Sequence, residues 1–453
     1  MKMVKISIIG TGYVGLVTGS CFASYGNEVI CADVDSDRIK NLSKGVLPFY
    51  EPGLSELCLK HSNDGTLTFT SDIKYAIEQS DIVFITVGTP TNNYGQMDLS
   101  YVYEAVDNIG EYLNQQKIIV VKSTIPAGTT RKLITYLEKK YGLILGVNYK
   151  MFSNPEFLRQ GTAVYDCLNP ERIVIGSNDL SQENELVDVY QSFSDKIINT
   201  SYESSEMIKN TANAFLAMKI SFINDIASIC EQVGADVVHV AEGIGSDQRI
   251  GKHFLKAGVG YGGSCFPKDT EDLCTLAGKN NHDFKLLKAV IETNDRQPLL
   301  LINKMLQTFG ELKGKQITIL GLSFKPDTSD IRNAPSIKLI EQLLLLDADI
   351  NVFDPVALNS IKGIFDERIK YYSNHYDAVA NSDACIIITE WNEIVESDIN
   401  TLVENMKHPI IFDGRNCLNY EYMKTVDIQY HCMGRNSIYN YKLETESIET
   451  VKL

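Results

Sequence analysis

The chain has 453 residues, 44% of them hydrophobic and 22% charged. That is a soluble globular composition, too long for one ordinary core, so two or three domains are expected. A formal net charge of −16 argues against a nucleic-acid or anionic-membrane partner, and no apolar run is long enough to span a bilayer. Ten cysteines and seven histidines, scattered without CxxC pairs or ligand spacing, indicate no metal site. They fit a reducing cytoplasm, with most thiols as small core residues.

Lys5–Ile9 reads as a short buried strand. Gly10-Thr11-Gly12-Tyr13-Val14-Gly15 follows it, then a small-residue helix through Ser24, a strand at Glu28–Ala32, and Asp33 at its end. This is the dinucleotide fingerprint in its required context. Gly10 makes the tight turn, Gly12 admits a pyrophosphate, and Gly15 lets helix and sheet pack closely. A carboxylate at Asp33 accepts from ribose hydroxyls and repels a 2′-phosphate, which favours NAD, although Arg38 stands close by in sequence.

The strand–helix alternation continues. Asp81–Thr86 runs into Val87-Gly88-Thr89-Pro90-Thr91, and Lys117–Val121 runs into Lys122-Ser123-Thr124-Ile125-Pro126. Ligands of doubly wound sheets lie at carboxyl ends of strands, so Thr86, Thr89, Thr91, Ser123 and Thr124 point to the cofactor crevice. Capping of the following helices is the alternative use of such hydroxyls. Tyr149–Phe152 leads into another polar turn, Ser153–Gly161. From about Ser204 to Gln232 the pattern is one long helix. Lys209 and Asn213, four apart, share a face there, and Phe215 and Leu216 nearby suggest a pair that is more than a solvated surface feature. Further helix reaches about residue 310.

Gly258-Val259-Gly260-Tyr261-Gly262-Gly263-Ser264-Cys265-Phe266-Pro267-Lys268-Asp269 puts one cysteine at the end of a glycine-rich loop, where a helix starts. Pro267 suits the first helical position. The helix N-terminus and Lys268 both favour thiolate, although a lone cysteine is more often inert core. A second α/β unit follows, with a strand at Gln316–Leu320, then Gly321-Leu322-Ser323-Phe324-Lys325-Pro326, and a helix over Pro335–Leu346. Strands at Ile350–Phe353, Cys385–Thr389 and Pro409–Phe412 complete it. Lys325 and Arg415 follow strand ends, as phosphate ligands do. Residues from about Ser437 read as a loosely attached tail.

Together these motifs resemble the nucleotide-sugar dehydrogenase family that oxidises UDP-glucose or GDP-mannose. The resemblance runs to about Arg435 and is most specific in GGSCFPKD (Gly262–Asp269) and KNTANAFLAMKISFIN (Lys209–Asn224). Phe266 and the preceding Gly-Val-Gly-Tyr favour its UDP-glucose branch. The resemblance implies an α/β fold of two Rossmann-like doubly wound domains joined by a long central helix in a helical dimerisation region. NAD would bind residues 1–200, dimerisation would involve 201–310, and the UDP-sugar would bind 311–453. It also implies a four-electron oxidation of UDP-glucose to UDP-glucuronate by two NAD in succession.

In that chemistry Cys265 matches the nucleophile that forms a thiohemiacetal and then a thioester. Lys209 and Asn213 match oxyanion stabilisers, Asp269 a group that orders water and moves a proton, and Thr124 a water-positioning hydroxyl. Glu156, Phe157, Leu158, Arg159, Phe254, Lys256, Gly262, Phe324, Lys325 and Arg415 match substrate contacts, together with Lys209 and Asn213. Arg249 matches an arginine that reaches across a homodimer interface to the substrate. Gly10, Gly12, Tyr13, Val14, Gly15, Asp33, Arg38, Thr89, Thr124, Lys268 and Arg332 match NAD contacts. One departure stands out: the family usually has glutamate where this chain has Gln160, and an amide cannot take a proton. The same chemistry on GDP-mannose or a UDP-N-acetylhexosamine, a two-electron hydroxyacid dehydrogenase, and a non-catalytic NAD-binding protein are the alternatives.

Overall fold

The computed structural model describes residues 3–92, 95–178, 185–191, 193, 194, 196–365 and 367–443. The first sheet is built from short apolar runs: β1 (Lys5–Ile9), β2 (Glu28–Ala32), β3 (Leu67–Thr70), β4 (Ile82–Ile85), β5 (Lys117–Val121), β6 (Tyr149–Ser153), β7 (Ile173–Gly176) and β8 (Ile197–Thr200). Their order is β3-β2-β1-β4-β5-β6-β7-β8. The pairing is parallel except at β6–β7. The order reverses between β1 and β4, so the crevice beyond their carboxyl ends is the topological switch point.

Alternation along each strand feeds two apolar layers. Ile6, Ile8, Phe84 and Val120 enter one, and Ile9, Val83, Ile85 and Ile119 enter the other. Burial on both faces is why these strands read as near-continuous hydrophobic runs.

The second sheet repeats the plan with β9 (Gln316–Leu320), β10 (Asp349–Phe353), β11 (Ile369–Tyr372), β12 (Ala384–Ile387), β13 (Ile410–Asp413), β14 (Gln429–Cys432) and β15 (Ile438–Tyr439). Its order is β11-β10-β9-β12-β13-β14-β15. Only β14–β15 is antiparallel. The helices that carry functional residues are α1 (Tyr13–Ser24), α2 (Ala163–Leu168), α3 (Tyr202–Val233) and α4 (Phe266–Lys279), and α5 (Lys285–Phe309) supports the cysteine loop. The chain packs as two compact units, residues 1–214 with 268–283, and residues 215–267 with 284–453.

The expectation of two doubly wound α/β sheets and a long central helix is borne out. Details differ. β3, β7, β8, β11 and β14 were not expected: Ile173-Val174-Ile175 in β7 is an apolar run that was passed over, whereas Leu67-Thr68-Phe69-Thr70 and Ile369-Lys370-Tyr371-Tyr372 carry no strong pattern and become strands by pairing with β2 and β10. The supposed tail from Ser437 starts with β15, and residues 444–453 lie outside those described. α4 begins at Phe266, so Pro267 is its second residue and Cys265 immediately precedes it. Phe215 is 56% exposed, so it is not what buries Lys209 and Asn213. Two positions beyond Asn213 is about 200° round the helix.

The loop after β9 depends on a carboxylate. Asp354, 1% exposed, accepts the N–H groups of Leu322 (2.7 Å) and Ser323 (3.1 Å) on Oδ2 and those of Val356 (2.9 Å) and Ala357 (2.7 Å) on Oδ1. It also accepts the Trp391 indole N–H at 3.1 Å. Asp354→Ala strands these buried donors and is expected to cost at least about 2 kcal/mol. Trp391 is the chain's one tryptophan, so its fluorescence during urea denaturation reads the loss as an earlier midpoint.

Candidate active site

The nucleotide loop forms where β1 ends. Gly10 has φ of 100° and donates its N–H to Ala32 O at 2.8 Å. A Cβ on Gly15 would stand 1.9 Å from Gly10 O, whereas one on Gly12 would meet nothing within 4 Å. The space beside Gly12 lies open at the N-terminus of α1, which has no side-chain cap and no acidic residue in its first turn. Unsatisfied N–H groups and an open flank fit a dinucleotide pyrophosphate.

Asp33 Oδ2 accepts from Thr11 N (2.7 Å), Thr11 Oγ1 (2.8 Å) and Arg38 (3.1 Å), and Oδ1 accepts from Asp35 N at 3.0 Å. Burial pushes the Asp33 carboxyl up, but the donors from Asp35 and Thr11 and the Arg38 charge outweigh it and hold it below the ordinary range. Arg38 is thus drawn onto the acid, away from the role of 2′-phosphate ligand.

Several polar residues of the same unit form a partly buried relay. Asn213 Nδ2 donates to Asp269 Oδ2 at 2.6 Å, and Asp269 Oδ1 pairs with Lys268 at 2.8 Å. The Lys268 ammonium lies 3.5 Å from Thr89 Oγ1, which donates to Thr124 O at 2.9 Å. Five expected site residues thus touch in sequence, tied by a helix pair and two strand ends. Beside them Lys209 pairs with Glu156 at 2.8 Å, both side chains nearly inaccessible. Burial raises the Glu156 carboxyl, but Lys209, the Leu158 N–H and Lys122 together bring it below its ordinary value. Lys209 also sits 5.5 Å from the Phe157 ring centre. Arg159 is exposed and pairs with Asp166 through Nε at 3.0 Å and Nη2 at 2.5 Å.

The cysteine loop belongs to the second unit and is pinned through its backbone. Gly258 N–H reaches Asn224 Oδ1 (2.8 Å), Val259 N–H reaches Gly414 O (2.9 Å), Tyr261 N–H reaches Asn294 Oδ1 (2.8 Å) and Gly263 N–H reaches Arg332 O (2.8 Å). A Cβ on Gly262 would fall 2.2 Å from Asn333 O, and one on Gly263 would fall 2.9 Å from the Phe324 ring, where φ is also +84°. Only glycine allows this approach.

Arg415 serves as a strut, donating to Ile388 O (2.6 Å), Gly260 O (3.0 Å) and Phe324 O (3.1 Å). Arg332 pairs with Asp330 at 2.6 Å, and that hydrogen bond outweighs burial and raises its guanidinium above the ordinary value. Lys325 stands 5.9 Å from the Phe324 ring centre, and the Phe254 ring lies 6.1 Å from that of Phe266. Lys256 is exposed. Arg249, with its side chain 89% exposed, pairs with Asp247 at 2.5 Å and touches none of these residues. Among the described residues no group of three or more His, Cys, Asp or Glu could hold a metal, and no helix is long and apolar enough to cross a membrane.

Family models match in the order of this architecture. The NAD binding domain of the UDP-glucose/GDP-mannose dehydrogenase family covers residues 4–194, its central domain residues 203–296, and its UDP binding domain residues 318–420. The chain belongs to this family. It is similar to UDP-glucose 6-dehydrogenase TuaD of Bacillus subtilis (strain 168), with 48% identity over 440 residues, 96% of this chain and 94% of that protein. UDP-glucose 6-dehydrogenase of Rickettsia conorii is 41% identical, with 95% and 99% covered. Among solved structures, a UDP-glucose dehydrogenase from Pyrobaculum islandicum superposes with a TM-score of 0.88 at 33% identity, covering 95% of this chain and 97% of that one. This chain is therefore an NAD-dependent dehydrogenase acting on nucleotide sugars, and the expectation of NAD is borne out.

Glu51 and Lys122 are among the buried charges that escaped the sequence reading. Glu51 gathers three donors, as described below. Lys122 donates to Asn154 Oδ1 at 3.1 Å and lies 3.4 Å from the Tyr190 hydroxyl. The signal was there, a lysine directly after the apolar strand Lys117–Val121, but its burial depends on Tyr190, far away in sequence.

Burial pushes the Lys122 ammonium from 10.5 down to about 8. Between those values the unfolded chain holds more protons than the folded one, so this residue makes stability rise with pH. Relative to Lys122→Met, the wild-type melting temperature is expected to climb between pH 8 and 10.5, read from paired melts across that window.

Proposed function

We propose that this chain oxidises the C6 alcohol of UDP-glucose to the carboxylate of UDP-glucuronate in two successive NAD-dependent steps, through a covalent intermediate on Cys265. The observation that carries the reading is Cys265 at the start of α4, on a glycine-pinned loop, while the same helix bears Asp269 bonded to Asn213 and Lys268. A two-electron dehydrogenase has no use for a nucleophile there. The choice of UDP-glucose rests on the relatives named for it and on the Phe266 loop.

NAD, when bound, accepts the hydride in each oxidation. The chain's own groups do the rest. Oxidation of the alcohol leaves an aldehyde, whose carbon carries a hydrogen but has no second hydride to give until a nucleophile adds. The Cys265 thiolate forms the C–S bond, and the carbonyl oxygen becomes an oxyanion stabilised by the Lys209 ammonium and the Asn213 amide. The second oxidation yields a thioester. Water then adds to its carbonyl carbon, the C–S bond breaks and the thiol is regenerated.

Gln160 orients that water with Thr124, and Asp269 or a water chain carries its proton, because an amide cannot. On the substrate side Glu156, Phe157, Leu158 and Arg159 form the turn beside Lys209, while Phe254, Lys256, Gly262, Phe324, Lys325 and Arg415 belong to the unit that carries the UDP binding domain.

The chain works as a cytoplasmic homodimer in this reading. Phe215, Phe222, Ile229 and Val233 are each more than half exposed on α3. The first three recur every seven residues and so share one face, as in a helix with a partner. Exposed Arg249 would reach across that interface to the substrate.

The primary test is NADH formed per UDP-glucose consumed, in wild type and Cys265→Ser, with GDP-mannose and UDP-N-acetylhexosamines alongside. Two NADH per sugar in the wild type and loss of complete turnover in the serine variant are expected. One NADH per sugar, unaffected by serine, would sink the covalent mechanism. If Gln160 only orients water, Gln160→Glu should leave turnover within about threefold of wild type, whereas Asp269→Asn should lose about a hundredfold, by steady-state kinetics.

A further inference from the structure

Glu51 lies in a connecting segment, is 4% exposed, and takes no part in the chemistry above. Its two carboxylate oxygens collect three donors. Oε2 accepts the Tyr13 hydroxyl and, at 2.6 Å, the Gly161 N–H, and Oε1 accepts the Ala163 N–H at 2.7 Å. Tyr13 is the first residue of α1, immediately after Gly12, and its ring packs against Phe49 at 5.0 Å between centres. Gly161 follows Gln160, and Ala163 opens α2. One buried carboxylate therefore joins the loop that cradles the cofactor to the turn that carries Gln160.

The chemistry of the acceptor matters. A carboxylate is acceptor-only and satisfies all three donors, whereas a glutamine would turn its NH₂ toward a backbone N–H and leave that donor stranded. Burial, together with the hydrogen bond to Glu51, pushes the Tyr13 phenol far above its ordinary value, so it stays a donor. Both Gly161 and Gly10 have positive φ, 82° and 100°. The loops at the two ends of the link therefore have backbones set by local geometry.

We propose that Glu51 is a positioning residue that couples occupancy of the cofactor loop to the placement of Gln160, so that dinucleotide binding at Tyr13 tightens the turn that orients the hydrolytic water. The role assigned to Gln160 rests on the covalent reading above, but the coupling itself does not. By linkage, whatever orders one end through this carboxylate favours the other.

Amide hydrogen exchange over residues 156–165 tests the coupling directly in the full chain. Saturating NAD is expected to slow exchange there by about fivefold or more in the wild type, and that protection is expected to vanish in Tyr13→Phe, which removes only the hydroxyl. No protection in the wild type, or protection that persists in Tyr13→Phe at saturating NAD, overturns the proposal. Glu51→Gln extends the test. The calorimetric Kd for NAD should rise about fivefold or more, and a sugar adduct on Cys265 should build up during turnover of UDP-glucose, seen by intact mass after quenching. A folded Glu51→Gln protein with unchanged Kd and no added adduct overturns the proposal, and if that variant does not fold, the Tyr13→Phe exchange result decides. A wild type yielding one NADH per sugar would retract the thioester reading and leave the exchange test in force.

Discussion

Each unit of this protein turns on a carboxylate at the end of the second strand of a doubly wound sheet. Asp33 follows β2 and accepts the N–H of Thr11, and Asp354 follows β10 and accepts the N–H of Leu322, both at 2.7 Å. In both, the glycine that ends the neighbouring strand has positive φ and donates to the residue just before the carboxylate, Gly10 to Ala32 and Gly321 to Phe353, each at 2.8 Å. The chain cannot leave the sheet there as a regular strand or helix, so its freed N–H groups need a fixed acceptor. The acid supplies it and sets the loop beyond. The same device serves two ends: around Asp33 it leaves a helix N-terminus without a side-chain cap, and around Asp354 it is closed by Trp391.

What the two loops hold differs in chemical character. The first unit concentrates buried charge: Lys209 with Glu156, Lys268 with Asp269, and Lys122 against Asn154. Burying an isolated charge is costly, and two of these lysines offset that cost with a carboxylate partner, whereas Lys122 meets a neutral amide and burial pushes its ammonium down. The second unit carries Cys265 on a loop fixed by backbone bonds, by the side-chain amides of Asn224, Asn294 and Gln297, and by the Arg415 guanidinium.

Much of this was legible in the residues. Strand, glycine turn, helix, strand and acid occur in fixed order within residues 5–33, and each step of that motif has a local steric or electrostatic cause. The GGSCFPKD segment was legible for the same reason, since close backbone approach demands glycine and α4 starts at once after the thiol. Short edge strands such as Leu67–Thr70 were not, because four residues of mixed polarity acquire strand structure only from the neighbour they pair with. Phe215 misled, since proximity in sequence to Lys209 and Asn213 is not proximity on a helix.

The local alphabet of the chain thus determined the two nucleotide-type folds and the cofactor class, because each depends on backbone freedom or charge within a few residues. Tertiary structure alone decided which charges are buried and with whom. Lys209 found Glu156 across 53 positions, as 209 less 156 shows, and Glu51 found Gly161 across 110. Arg415, which reads as a phosphate ligand from its place after a strand, turned inward to three carbonyls. A long side chain's partner is set by the packing of distant elements, and no spacing along the chain encodes that directly.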